Sequence, residues 1–178
     1  EAKLDGQTPS FSGNAHYDVG EGMIVVDAAV TGVRPDRLAK NFAVLASLEG
    51  VGLPVDANFN IRIAADGSLR GGEYRLSAGA GALEFPKLLP RTIPIRSATA
   101  HGSFDVVTSR PVLDKAKLDL GGPTIELSGS ATRHSDHADF NVRAAIAQLP
   151  INDLGRYWPS DVASGFHEWV IENIRDGS

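Results

Sequence analysis

Alternation of apolar and polar residues, repeated in segment after segment, constrains this chain more than any other feature of it. In residues 55–64 the apolar set is Val55, Ala57, Phe59, Ile61 and Ile63, with Asp56, Asn58, Asn60 and Arg62 between them. Ala116, Leu118 and Leu120 alternate with Lys117 and Asp119, and Ile125, Leu127 and Ala131 alternate with Glu126, Ser128 and Ser130. Phe140, Val142 and Ile146 do the same against Asp139, Asn141 and Arg143. Shorter runs surround Ala15-Tyr17-Val19, Ile24-Val26-Ala28-Val30, Tyr74-Leu76-Ala78 and Phe104-Val106. Successive side chains on a strand point to opposite faces, so each segment has one greasy and one wet face. That pattern belongs to antiparallel sheet, because strands buried on both faces read as continuous apolar runs.

The turns agree. Asp66-Gly67-Ser68 separates two alternating runs, and Asp-Gly favours a tight hairpin because both residues tolerate positive φ. Gly20-Glu21-Gly22, Gly121-Gly122-Pro123 and the stretch His134 to His137 separate other pairs. The chain reads as a meander of hairpins broken twice. Residues 34–48 carry Leu38, Phe42, Leu45 and Leu48 at helical spacing, with Pro35 in the first turn. In the tail, Leu154 and Tyr157-Trp158 suit a short helical turn. Val162, Phe166, Trp169, Val170 and Ile174 then mark one face of a longer helix, with Gly177 as its C-cap.

Composition removes several functions. The 178 residues carry a net charge of −5, so the basic footprint of a nucleic-acid binder is absent. The densest basic group is Arg62, Arg70 and Arg75 across one predicted hairpin. With no cysteine there are no disulfides, thiolate metal sites or cysteine nucleophiles. The most apolar window, residues 22–33, is interrupted by Asp27 and falls short of the roughly 20 residues that cross a bilayer.

Little points to chemistry. His134, Asp136 and His137 offer two imidazoles and a carboxylate, a set zinc accepts. The plainer reading is a polar hairpin tip, since turns collect such residues and a tip lacks the supporting shell of a metal site. The glycines at 71–72 and 79–81 open no helix, and read as bends or bulges where a sheet curls. No Gly-x-Ser-x-Gly elbow is present, and His16, His101 and His167 stand alone. Trp158 and Trp169 read as docking residues rather than sugar platforms. The expectation is a protein without catalytic residues, resident metal or cofactor.

Four stretches together resemble the periplasmic AsmA-like superfamily, closest to its YhdP-type branch. "HYDVGEGMIVVDAAVTGVRPDRLA" resembles the family's paired strands followed by a Pro-started helix. "LPVDANFNIRIAADGSLRGGEYRLSAGAGAL" resembles its hairpin with a central Asp-Gly, and "LDLGGPTIELSGSAT" its Gly-Gly-Pro turn. "LGRYWPSDVASGFHEWVIENIRDGS" resembles the segment that introduces a fresh repeat. The likeness covers nearly the whole chain. One departure is Asn41-Phe42-Ala43, where the family helix has an internal proline.

The resemblance implies a mainly β fold: a curved, groove-like antiparallel sheet built from repeats, with two short helical segments. Residues 1–150 would form one β-rich unit with a helix near 35–48, and residues 151–178 the truncated helical start of the next repeat. It further implies a periplasmic piece of a longer, inner-membrane-anchored protein of a Gram-negative bacterium. That parent would conduct phospholipid between membranes and meet them through parts outside this chain. The acyl-lining candidates are then Phe59, Ile61, Ile63, Phe104, Val106, Leu118, Leu120, Ile125, Leu127, Phe140, Val142 and Ile146. Taken singly, each is a core residue first, and the alternative is a β-rich structural or interaction module with a closed core and no lipid.

Overall fold

The computed structural model describes residues 9–86, 91–134 and 136–148. The expected tail helices, with Trp158, His167 and Trp169, lie outside the described residues. Eight long strands form one antiparallel sheet in the order β1 (Ser10–Asp18), β2 (Met23–Val33), β4 (Val55–Ala64), β5 (Leu69–Ala78), β8 (Ser97–Asp105), β9 (Arg110–Asp119), β10 (Thr124–Arg133) and β11 (Ala138–Ala147). Each pairs with its predecessor in the sheet, as a meander of hairpins requires. The sheet is not closed: β1 and β11 are its two edges.

Polar side chains fix the turns. Asp18 Oδ1 accepts the N–H groups of Gly20 (2.8 Å) and Glu21 (3.0 Å), and Asp105 Oδ1 accepts that of Thr108 (2.8 Å). Asp119 Oδ1 accepts that of Gly121 at 2.8 Å, and Gly121 has φ +83°. The Asp-Gly hairpin is looser than its sequence suggests. The N–H of Ala64 donates to the carbonyl of Ser68, and only Gly67 of the Asp66-Gly67 pair takes positive φ. Asp66 instead accepts the Ser68 hydroxyl (2.6 Å) and N–H (2.9 Å), which holds its carboxyl below the usual range.

The segments between β2 and β4 and between β5 and β8 fold back over one end of the sheet. They contribute a small sheet in the order β3 (Val51–Gly52), β6 (Gly81–Leu83) and β7 (Ile93–Ile95). Leu53, Ile93 and Ile95 from this lid meet Leu120 to make the buried cluster, with Val51, Val55, Ala78, Leu83, Ala98, Leu118 and Ile125 packed around it. Part of the 79–83 glycine stretch expected as a bend is therefore strand.

The single helix expected near 35–48 is two pieces, α1 (Pro35–Asn41) and a 3-10 helix (Ala43–Leu48). Phe42 between them is extended (φ −130°, ψ 105°). Its side chain is exposed, as is that of Leu48, so the apolar spacing of this segment marks no continuous buried stripe.

A sheet with one open apolar face

Cross-strand register assembles the alternating residues into one surface. Phe59 of β4 faces Ala28 of β2 and Tyr74 of β5. Ile61 faces Val26 and Gly72, and Ile63 faces Ile24 and Leu69. Farther along, Leu118 lies between Ala98 and Ile125, and Ile125 is paired in turn with Ile146. Leu127 pairs with Ala116 and Ala144, Gly129 with Val142, and Ala131 with Phe140. Since opposed residues share a face, one side of the sheet is apolar from β1 to β11. The other side carries Asn14, Asp27, Asn58, Asn60, Arg62, Glu73, Arg75, His101, Lys117 and Glu126.

Coverage of the apolar side is uneven. Under the small sheet it is closed, and Ile95 is 3% exposed. Away from it, the middle-strand residues Phe59, Ile61, Ile63, Tyr74 and Phe104 are half-buried. At the edges Phe11 is 72% exposed, Phe140 74% and Val142 65%. Among the described residues no side chain reaches full burial. A well-formed sandwich buries many, so among the described residues the closed core accounts for one end of the sheet only.

Two glycines on this face make room for aromatic rings. Gly72 pairs with Phe104, and Tyr74 with Gly102, on adjacent strands β5 and β8. A Cβ at Gly102 would meet the Tyr74 hydroxyl oxygen at 2.6 Å, and one at Gly72 would meet the Phe104 ring at 3.1 Å. Each ring therefore covers the glycine opposite it. Tyr74 also donates its hydroxyl to the carbonyl of Val112 (3.1 Å). Burial, and secondarily the Asp114 carboxylate, push that hydroxyl above the usual tyrosine range.

Ten of the twelve expected lining residues lie on this face: Phe59, Ile61, Ile63, Phe104, Leu118, Ile125, Leu127, Phe140, Val142 and Ile146. Two do not lie on its open strands. Val106 sits beyond the end of β8 in the β8–β9 turn, with its N–H bonded to the carbonyl of Arg70. Leu120 follows β9 and is buried in the closed cluster. Tyr74, Leu76, Leu113 and Phe11 share the face but were not among the lining candidates. Their own alternation was visible in part; their neighbours were not, because register across strands is absent from a local pattern.

The polar face holds a shallow hollow lined by Ser12, Asn14, Asp27, Asn58, Asn60, Glu73 and Arg75. Within it Asn60 donates to Asp27 Oδ1 at 2.8 Å. Elsewhere on this side Lys115 and Glu126 form an exposed ion pair at 3.0 Å, which adds little stability. No helix of the described residues is long and apolar enough to cross a membrane. No family model, curated protein or solved structure matches the chain.

Proposed function

We propose that this chain is a non-enzymatic segment of a periplasmic bridge protein, and that its apolar sheet face shields phospholipid acyl chains between the inner and outer membranes. The observation that carries the reading is the uneven cover of that face. A closed cluster seals one end, while the residues of the middle and edge strands stay half-buried or exposed. Large contiguous apolar surface on a water-exposed protein marks a binding surface.

The energetics suit an acyl chain. Each methylene removed from water contributes about 0.8 kcal/mol, and a chain laid along the sheet removes many at once. It also covers Phe59, Phe140 and Val142 without needing a polar partner on this face. The headgroup stays in water, so no tight headgroup site is required. The account places no catalytic residue and no cofactor on the chain, and no nucleic acid among its partners. Under it the sheet curves into a groove that neighbouring repeats prolong, the edge strands β1 and β11 being where such continuation pairs.

The test is uptake of a fluorescent fatty-acyl probe, with lipid mass spectrometry of the purified chain. Charged substitution at Phe59 or Phe140 lowers occupancy while the β-sheet circular dichroism persists. A protein that takes up no probe and carries no lipid is instead a structural module.

A further inference from the structure

The connection between β10 and β11 brings together three donors from residues 134–139. His134 Nε2 lies 3.1 Å from Asp139 Oδ2, and His137 Nε2 lies 3.8 Å from Asp139 Oδ1. The two imidazoles are stacked, with ring centroids 4.5 Å apart and planes 14° from parallel. One donor atom from each of the three residues falls within 4.8 Å of the others. Donors of a tetrahedral zinc site, with bonds of about 2.0–2.1 Å, sit roughly 3.3 Å apart. The cluster is therefore about one side-chain adjustment from that geometry.

A second observation is independent of that spacing. His137 Nδ1 lies 2.7 Å from Asp136 Oδ1. An ionised carboxylate only accepts, so Nδ1 is the nitrogen that donates to Asp136, and Nε2 is the ring nitrogen left facing Asp139. Carboxylate–imidazole pairs of this kind orient metal-bound histidines and raise their basicity. The hairpin supplies the frame. The N–H of His134 donates to the carbonyl of His137 at 2.9 Å, and that of Arg133 to the carbonyl of Ser109 at 3.3 Å. Sequence spacing alone pairs the imidazoles with Asp136. Register reverses the two aspartates, because Asp139 pairs with Thr132 beside the imidazoles while Asp136 stands behind His137.

We propose that His134, His137 and Asp139 bind one divalent transition-metal ion of the zinc class, with Asp136 orienting His137. Two imidazoles and a carboxylate suit zinc, nickel or copper rather than calcium or magnesium, which prefer all-oxygen shells. The two carboxylates of Asp136 and Asp139 match the charge of the ion. Three protein ligands leave a coordination position facing solvent, and all four side chains are exposed. This site adjoins the apolar face, since His134, Asp136 and His137 line a hollow shared with Phe104 and Ala131, but metal binding stands or falls without lipid.

The test is calorimetric titration of the 178-residue chain with Zn²⁺, and with Co²⁺ as a spectroscopic probe. One ion binds per chain, and bound Co²⁺ gives the intense visible bands of a tetrahedral site. H134A, H137A and D139N each weaken Zn²⁺ at least about tenfold, and D136N about 10–100-fold, as loss of an orienting carboxylate does. H101A, which removes a different exposed histidine 3.7 Å from Asp114, leaves binding unchanged. Circular dichroism confirms the fold of each variant. Equal Zn²⁺ affinity in the H134A/H137A double variant overturns the proposal, as does loss of binding in H101A.

Discussion

The ring of Tyr74 lies against Gly102, its cross-strand partner, and the position leaves no room for a β-carbon. The neighbouring pair is the mirror arrangement, with Phe104 over Gly72. Two aromatic rings thus pack along the sheet surface instead of standing up from it. Glycine and aromatic residues alternate across β5 and β8, and each ring takes the space a β-carbon would occupy.

Gly102→Ala is expected to cost about 1–3 kcal/mol, the usual range for forcing atoms into packed space. The new methyl group meets both Tyr74 and the Val112 carbonyl, and backbone cannot step aside cheaply. Gly122→Ala is the control, since a Cβ there meets nothing within 4 Å. Urea denaturation of the two variants reads the difference. Equal midpoints would mean that Tyr74 moves off Gly102 without cost.

Stability should concentrate at the lidded end. Ile95→Ala removes a side chain that is 3% exposed and is expected to cost about 2–5 kcal/mol. Ile146 lies on the same side of the sheet but is 48% exposed, so Ile146→Ala should cost about 1 kcal/mol or less. Thermal or urea unfolding distinguishes the two. Similar losses at both positions would place a second core over β11.

Acid should loosen two of the turns. Hydrogen bonds from Thr108 hold the Asp105 carboxyl below the ordinary range, and those from Ser68 do so for Asp66. A carboxylate whose folded pKa is depressed stabilises the fold above its unfolded pKa, and loses that contribution as pH falls through the folded value. The loss therefore falls below about pH 4. Asp105→Asn keeps an acceptor for the Thr108 N–H but removes the titration. Its urea midpoint should vary less between about pH 4 and 2 than that of the unchanged chain. An identical pH dependence would remove Asp105 from the account.

Seven of the eight long strands were legible because each has a period of two that a wet and a dry face impose; β8 (Ser97–Asp105) was marked only near its end, by Phe104 and by Val106, which lies in the turn beyond it. Val55 to Ile63 alone defines β4, and Asp66-Gly67 its turn. Three parts were hidden for separate reasons. The strands of the small sheet are two or three residues long, and Val51–Gly52 or Ile93–Pro94–Ile95 cannot express a period. The break at Phe42 has no proline or glycine to announce it, and Leu38, Phe42, Leu45 and Leu48 keep helical spacing across it. The place of Asp139 beside the histidines depends on its pairing with Thr132, which is a fact of register rather than of composition. Which apolar residues stay open was equally out of reach, because Ile146 and Leu120 look alike until the lid covers one end and leaves the first 48% and the second 8% exposed.

The open face is the centre of the account, and lipid occupancy measures it most directly. The chain is purified from bacterial membranes-plus-periplasm extract and its bound lipid quantified by mass spectrometry, beside a Phe140→Glu, Val142→Glu variant. Both side chains are mostly exposed, so the variant should keep its β-sheet signal. The account predicts phospholipid on the unchanged chain and several-fold less on the variant. Lipid-free protein in both preparations, or equal lipid in both, would contradict it.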